Sequence, residues 1–203
     1  MTRPAISVII PNLNSPFIHR TIAALQSQTI GDALREILVV GMDEPGLVTP
    51  DERVRLIAFD RPTSAAHNRN AGMAQATGEI LCLTDADCIP EPDWLERLTA
   101  PFADPEVAVV GGGVRFDQGN YWSLCDNLSW FYQFLESAPG GHRSHLPTLN
   151  LALRRTVYEK VGGMSLSYPL AAGEDTEWTE RMAAAGFALH FVPQATVTHV
   201  ARR

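Results

Sequence analysis

The sequence predicts an α/β fold, with a mostly parallel sheet flanked by helices in a single domain. Three observations predict it. Through its first half the chain alternates short apolar runs with segments of helical periodicity, the pattern of strand–helix crossover units. Those apolar runs are continuous rather than alternating, as in strands covered on both faces. The 203 residues contain no linker, internal repeat or low-complexity tract, and that length suits one domain.

The elements follow in order. Ile6-Ser7-Val8-Ile9-Ile10 is an apolar, β-branched strand that Pro11 is expected to stop. A helix is expected over residues 17–28, where Ile18, Ile22 and Leu25 recur at helical spacing. Ile37-Leu38-Val39-Val40 reads as the second strand and residues 54–59 as the third. Residues 64–76 read as a helix, with Gly78 near a C-cap position. Glu79-Ile80-Leu81-Cys82-Leu83-Thr84 reads as a buried strand, and residues 91–102 as a helix begun after two prolines. Val107-Ala108-Val109-Val110 is a fifth strand running into Gly111-Gly112-Gly113, which lacks phosphate-loop spacing and reads as a close backbone approach. Residues 121–135 carry Trp122, Trp130, Phe131 and Phe134, and suit either a helix packed on the core or an exposed aromatic surface. Residues 139–143 read as a mobile loop, 174–185 as a helix with an acidic first turn, and 191–200 as a strand interrupted by Pro193.

Composition narrows the function. The chain is 45% hydrophobic and 19% charged, with a net charge of −7, as expected of a soluble globular protein. The acidic balance argues against nucleic acid as a partner, which normally needs a basic face. Lys160 is the only lysine, and this arginine bias is associated with GC-rich bacterial genomes. The three cysteines, Cys82, Cys88 and Cys125, lack zinc-site spacing and fit a reduced, cytoplasmic setting. No signal peptide is expected ahead of the first strand, and no apolar stretch is long enough to span a membrane.

Asp85-Ala86-Asp87 is the most informative motif. Ligands of open α/β sheets bind outside the carboxyl ends of strands, where this pair falls. Carboxylates suit hard cations, and Mg²⁺ is usually held by one or two of them together with substrate phosphates. A solvated turn or a helix N-cap is the plainer reading of the same residues. Asp175, with Glu174 beside it, can serve as a general base for a hydroxyl, or can merely complement a helix N-terminus. Pro11, Asn12 and Asn14 make a turn whose amides offer donors and acceptors to a nucleobase edge. Arg69 suits a diphosphate by its guanidinium geometry, and equally suits a solvated helix face. His199 shares a strand face with Ala195 and Val197, as a core histidine or as a ligand.

Taken together, these segments resemble the family-2 glycosyltransferases of the GT-A (Rossmann-like) fold, from Ile6 to about Val200. Ser7-Val8-Ile9-Ile10-Pro11-Asn12-Leu13-Asn14 resembles the family's opening strand and nucleotide-binding loop. Ala66-His67-Asn68-Arg69-Asn70-Ala71-Gly72 is similar to the stretch before its metal motif, and Thr84-Asp85-Ala86-Asp87 to that motif. Leu149-Asn150-Leu151-Ala152-Leu153-Arg154-Arg155 and Val161-Gly162-Gly163-Met164 resemble the acceptor-side segment, and Gly173-Glu174-Asp175 the position of the catalytic base.

The resemblance implies an inverting transferase that uses a nucleoside-diphosphate sugar, a UDP-sugar first and GDP- or dTDP-sugars after it. Residues 1–115 would form the nucleotide-sugar-binding half and residues 116–203 the acceptor-side half. Asp87 would bind Mn²⁺ or Mg²⁺, with Asp85 on the ribose or the metal's water shell and His199 as a third ligand. Asp175 would be the base, with Glu174 orienting the acceptor. Pro11, Asn12, Asn14, Asp43, Arg69 and Asn70 would line the donor site. The acceptor would be a glycan, a lipid-linked sugar or a small metabolite, met in the cytoplasm or at the inner face of the membrane. Two features depart from the family pattern. Only Asp43 remains of the usual base-reading aspartate pair, and Ser64-Ala65 stands where some relatives carry a cation.

Two rival readings are a degenerate binding or scaffold module, suggested by a chain short for the family, and a sugar-phosphate nucleotidyltransferase. The second needs a Gly-rich basic loop after the first strand, where this chain has Pro11-Asn12-Leu13-Asn14-Ser15-Pro16.

Overall fold

The computed structural model describes residues 3–117, 129–168 and 173–200. Among these, the strands are β1 (Ile6–Leu13), β2 (Leu34–Met42), β3 (Val54–Ala58), β4 (Ile80–Thr84), β5 (Cys88–Pro90), β6 (Val109–Phe116), β7 (Gly141–His142), β8 (Asn150–Arg154) and β9 (Leu189–His199). The α-helices are α1 (Ile18–Gln26), α2 (Ala65–Gln75), α3 (Trp94–Thr99), α4 (Arg155–Val161) and α5 (Glu174–Ala184). One mixed sheet runs β3-β2-β1-β4-β8-β6-β9-β5, with β7 paired to β9.

The strands predicted from apolar runs form the parallel part of the sheet. β1 pairs in parallel with β2 on one side and β4 on the other, and β2 pairs in parallel with β3. The chain therefore builds outward from β1 to β3 and then returns to the opposite side of β1. That reversal leaves a crevice at the carboxyl ends of β1 and β4. The core is continuous across it, with every residue of β4 buried and Trp94 and Trp178 fully enclosed.

The structure corrects several boundaries. Pro11 does not stop β1, which continues to Leu13 beside β2. Pairing with β4 has ended by then, at Ile9↔Leu83, so Pro11 lies on a strand edge, where proline is tolerated. Gly78 is not a helix cap, since α2 ends at Gln75. A Cβ on Gly78 would lie 2.5 Å from the Ser7 backbone nitrogen, so glycine is required there by close approach. Residues 139–143 are not a free loop, because Gly141 and His142 pair with Phe191 and His190 of β9. β5 and β8 were not anticipated: β5 has only three residues, and β8 lies within residues 149–155, read for their family resemblance alone. The expected helix at 121–135 lies outside the described residues up to 128. Trp130 and Tyr132 beyond it are exposed, and Phe134 is buried.

The glycine run is explained by β9. The parallel register of β6 with β9 jumps from Gly112↔Val192 to Val114↔Val197, a bulge over residues 193–196 of β9. Added Cβ atoms on Gly112 and Gly113 would lie 2.2 Å from Ala195 O and 2.1 Å from Pro193 O. Asn150 secures this junction from β8: its Nδ2 donates to Gly113 O and Ala195 O, each at 2.8 Å, and its Oδ1 accepts from Trp94 Nε1 at 2.9 Å.

At the opposite end of the sheet, buried Glu36 gathers β1, β2 and the α2–β4 turn. Its Oε1 accepts from Ser7 Oγ, Thr77 N and Thr77 Oγ1, each at 2.7 Å, and its Oε2 faces Arg55 at 3.2 Å. Burial acts to raise its pKa, but the hydrogen bonds from Thr77 and Ser7, aided by Arg55, outweigh it and the value is lowered. Its contribution to stability is therefore present above the unfolded carboxyl's pKa and is lost as pH falls through the folded value. Glu36→Ala, which strands these donors, is expected to cost about 1–3 kcal/mol in urea unfolding at neutral pH. The difference from wild type should shrink in acid, and a pH-independent difference would contradict this account.

Candidate functional site

The crevice at the carboxyl ends of β1, β2 and β4 brings together most of the residues singled out in the sequence. The turn after β4 is closed by Cys88 N donating to Asp85 O at 3.1 Å. It also turns Ala86 O toward Ser15 Oγ and Thr21 Oγ1, which donate to it at 3.3 and 3.1 Å. Asp85 and Asp87 are thus fixed to the start of α1 as well as to the sheet.

Two adjoining clusters result. In the first, Arg69 of α2 donates from Nη2 to Asp85 Oδ1 at 2.5 Å. Arg69 is only 4% exposed, so the solvated helix-face reading does not hold. Its buried Nε has no hydrogen-bond partner among the described residues. Glu174, at the start of α5, is 6% exposed and its Oε2 likewise lacks a hydrogen-bond partner there. Burial raises the Glu174 pKa, reinforced by the charges of Asp175 and Asp85 and opposed by its own backbone N–H and by Arg69. Glu174 therefore lies within electrostatic reach of the Arg69–Asp85 pair. Asp175 beside it is half-buried, and its Oδ1 accepts from Thr176 N at 2.8 Å.

The second cluster is Asp87, Cys88 and His199, whose ligand-capable atoms all lie within 4.8 Å of one another. His199 Nε2 is 3.7 Å from Asp87 Oδ1. The His199 ring meets Phe116 edge-on at 5.9 Å between centroids, and its buried Nδ1 has no hydrogen-bond partner among the described residues. It is therefore not a satisfied core histidine. The Cys88 thiol is pushed well above its usual pKa by burial, with Asp85 and Asp87 adding to the shift. A carboxylate and an imidazole converging at the end of a central strand fit a divalent cation.

The residues expected at the donor side are engaged by backbone. Pro11 lies within β1, opposite Val40. Asn12 is buried, its Nδ2 donating to Met42 O at 2.7 Å and its Oδ1 accepting from Ser15 N at 3.1 Å. Asn14 has φ +54° and accepts from Glu44 N at 2.8 Å. The two Asp43 oxygens accept from Leu47 N at 3.1 Å and Val48 N at 2.8 Å, closing their own loop. Asn70 clamps the Met164 backbone, donating to its O and accepting from its N, both at 2.8 Å. These side chains shape the walls of the crevice. Sequence reasoning did not single out Asn150, although a lone amide inside the apolar run Leu149-Asn150-Leu151-Ala152-Leu153 was a visible signal.

Residues 4–203 match the family described as glycosyltransferase like family 2. Glycosyltransferase AglE of Haloferax volcanii is 32% identical over 212 residues, covering 99% of this chain and 68% of that protein. The pre-mycofactocin glycosyltransferase of Mycobacterium tuberculosis is 30% identical over 137 residues, covering 64% of this chain and 29% of that protein. Among solved structures, the mannosyltransferase PcManGT from Pyrobaculum calidifontis, in complex with GDP-Man and Mn²⁺, superposes with a TM-score of 0.78 at 24% identity. That match covers 100% of this chain and 59% of PcManGT. GalNAc-T7 with UDP, GalNAc and Mn²⁺ superposes with a TM-score of 0.79 at 17% identity, covering 98% of this chain and 44% of that one.

Removing Arg69 while leaving Asp85 should be costly, because a buried pair loses one partner. Asp85 keeps 28% side-chain exposure, so Arg69→Met is expected at or below the low end of the usual ~3–5 kcal/mol. The double variant R69M/D85N should lose less than the sum of the two single changes in urea unfolding. Simple additivity would show that the pair is not coupled.

Proposed function

The chain belongs to glycosyltransferase family 2 and has the GT-A fold, and from that premise we propose that it is an inverting, metal-dependent enzyme moving a sugar from a nucleoside-diphosphate sugar to an acceptor hydroxyl. The observation that carries this reading is the convergence of Asp87 and His199, 3.7 Å apart, at the carboxyl end of β4, with the Arg69–Asp85 pair beside them. A UDP-sugar is the first candidate donor and a GDP-sugar the second. The solved neighbours with UDP and with GDP-Man support a nucleotide of this class without choosing between the bases.

Asp87 and His199 would hold Mn²⁺ or Mg²⁺, with Asp85 directed to the ribose or the ion's water shell by Arg69. When bound, the ion supplies charge neutralisation for the departing diphosphate. Asn12, Asn14 and Asp43 keep the nucleotide side of the crevice rigid through their backbone hydrogen bonds. Arg69 is buried against Asp85, so its part is to position that carboxylate.

Asp175 would remove the acceptor proton as the hydroxyl oxygen attacks the anomeric carbon and the bond to the diphosphate breaks. A single displacement of this kind inverts the anomeric centre. Burial raises the Glu174 pKa, and Glu174 is buried while Asp175 beside it is only half-buried, so the more accessible Asp175 is assigned as base and Glu174 as its orienting neighbour.

The acceptor would be a glycan, a lipid-linked sugar or a small metabolite, met on the cytoplasmic side. No helix among the described residues is long and apolar enough to cross a membrane.

A thermal-shift panel of nucleoside diphosphates, with and without Mn²⁺, tests the donor site. One diphosphate should stabilise the protein only with Mn²⁺, by about 2.7 kcal/mol at a hundredfold excess over Kd, and Asp87→Asn should abolish the effect. Asp175→Asn should keep that binding and lower the release of nucleoside diphosphate from the sugar donor by ~10²–10⁴-fold. Binding without any turnover in the wild type would favour the non-catalytic module instead.

A further inference from the structure

Cys88 lies inside the proposed cation site, and the proposed function gives it no part. Its place there is built by backbone. β5 pairs antiparallel with β9 in the register Cys88↔His199, Ile89↔Thr198, Pro90↔Val197. Residues directly opposite in such a ladder project to the same face of the sheet. Val200 N also donates to Asp87 O at 2.9 Å, extending the ladder to the third residue. The short β5 in fixed register with the end of β9 therefore sets the thiol and the imidazole side by side, and the Asp87 carboxylate, in the turn just before β5, lies within 4.8 Å of both.

The distances suit one small ion. Thiolate sulfur and imidazole nitrogen bind Zn²⁺ at about 2.3 and 2.0 Å, so ligand atoms around one tetrahedral ion sit about 3.5 Å apart. The three ligand-capable atoms here already lie within 4.8 Å of one another, so a closure of order 1 Å completes the set. A mixed O, N, S donor set differs in kind from the all-oxygen surroundings that Mg²⁺ and Mn²⁺ favour. Thiolate selects softer ions, and imidazole favours ions late in the first transition row.

Resting on the proposed metal site, we propose that Asp87, Cys88 and His199 form a second coordination mode that binds Zn²⁺ or Cd²⁺ in the nucleotide-free protein, in preference to Mg²⁺. In this mode the Cys88 sulfur bonds the ion and its proton passes to solvent, with no change of oxidation state. Three protein ligands leave one tetrahedral position open, as in zinc sites that also take a water or a substrate. An ion held this way occupies the position proposed for Mn²⁺, so soft divalent ions exclude the hard one.

The probe is Cd²⁺ alone, titrated into the full chain without nucleotide, with the cadmium–thiolate charge-transfer absorbance as readout. One equivalent should saturate the band. Cys88→Ala and Cys88→Ser should each remove it, and Cys125→Ala should retain it. His199→Ala should keep the band and weaken Cd²⁺ binding at least tenfold. A band that is absent in the wild type, or that survives in Cys88→Ala, overturns the proposal, and the wild-type measurement stands even if a variant fails to fold. The wild-type protein also separates this proposal from the reading beneath it. If Cd²⁺ gives no band while Mn²⁺ still supports a nucleoside-diphosphate thermal shift, only the role of Cys88 falls. If neither is seen, the donor-site reading falls with it.

Discussion

The site depends on keeping several carboxylates close together in a partly dry crevice, and the buried Arg69 guanidinium makes that arrangement possible. Asp85 and Glu174 come within electrostatic reach of each other from two distant stretches of chain, with Asp87 and Asp175 beside them in sequence. Without a cation their mutual repulsion would favour opening the crevice to water. Arg69 reaches Asp85 at 2.5 Å and lies near enough to Glu174 to oppose the rise in its pKa. The cost of burying the guanidinium is offset by that pairing. Arg69 in turn fixes α2 against the end of β4, and Asn70, one residue on, fixes the Met164 segment against α2. One helix thus holds the Asp85–Asp87 turn and the Met164 segment in a common frame.

The other half of the site is delivered by sheet geometry. His199 is 112 residues from Asp87 in sequence, and it arrives because the end of β9, beyond the bulge at residues 193–196, pairs with β6 on one edge and with β5 on the other. The bulge requires β9 carbonyls to sit almost on the β6 backbone, which is why glycine occupies positions 112 and 113. Asn150 binds the carbonyls of both strands and Trp94 as well. Two backbone carbonyls at the bulge and the Trp94 indole are thereby satisfied away from water. Packing and backbone register thus set His199 beside Asp87.

Much of this was legible in the sequence, for identifiable reasons. β1, β2 and β4 are buried along most of their length, so their apolar runs stand out, and the edge strand β3 was readable from Val54, Leu56 and Ile57 although most of it is less buried. Asp85 and Asp87 were readable because two carboxylates directly after such a strand break its pattern. The acidic first turn of α5 was readable because Glu174, Asp175 and Glu177 complement a helix N-terminus whatever else they do. β5, β7 and β8 were less legible. β5 and β7 have three and two residues, too few to show a period, and β8 lay in a segment read for its family resemblance alone.

The sequence by itself determined the α/β class, the parallel core, the position of the carboxylate pair and the family. Each of these follows from local pattern, because burial of β1, β2 and β4 dictates their composition one strand at a time. Only the tertiary structure decided that Arg69 is buried against Asp85, that Asn12, Asn70 and Asp43 hold backbone, and that His199 and Cys88 share a corner with Asp87. Those facts depend on which strand lies beside which, and on a bulge that shifts register between β6 and β9. A chain read in one dimension carries the residue types for such contacts, while the distances between them exist only once the sheet has closed.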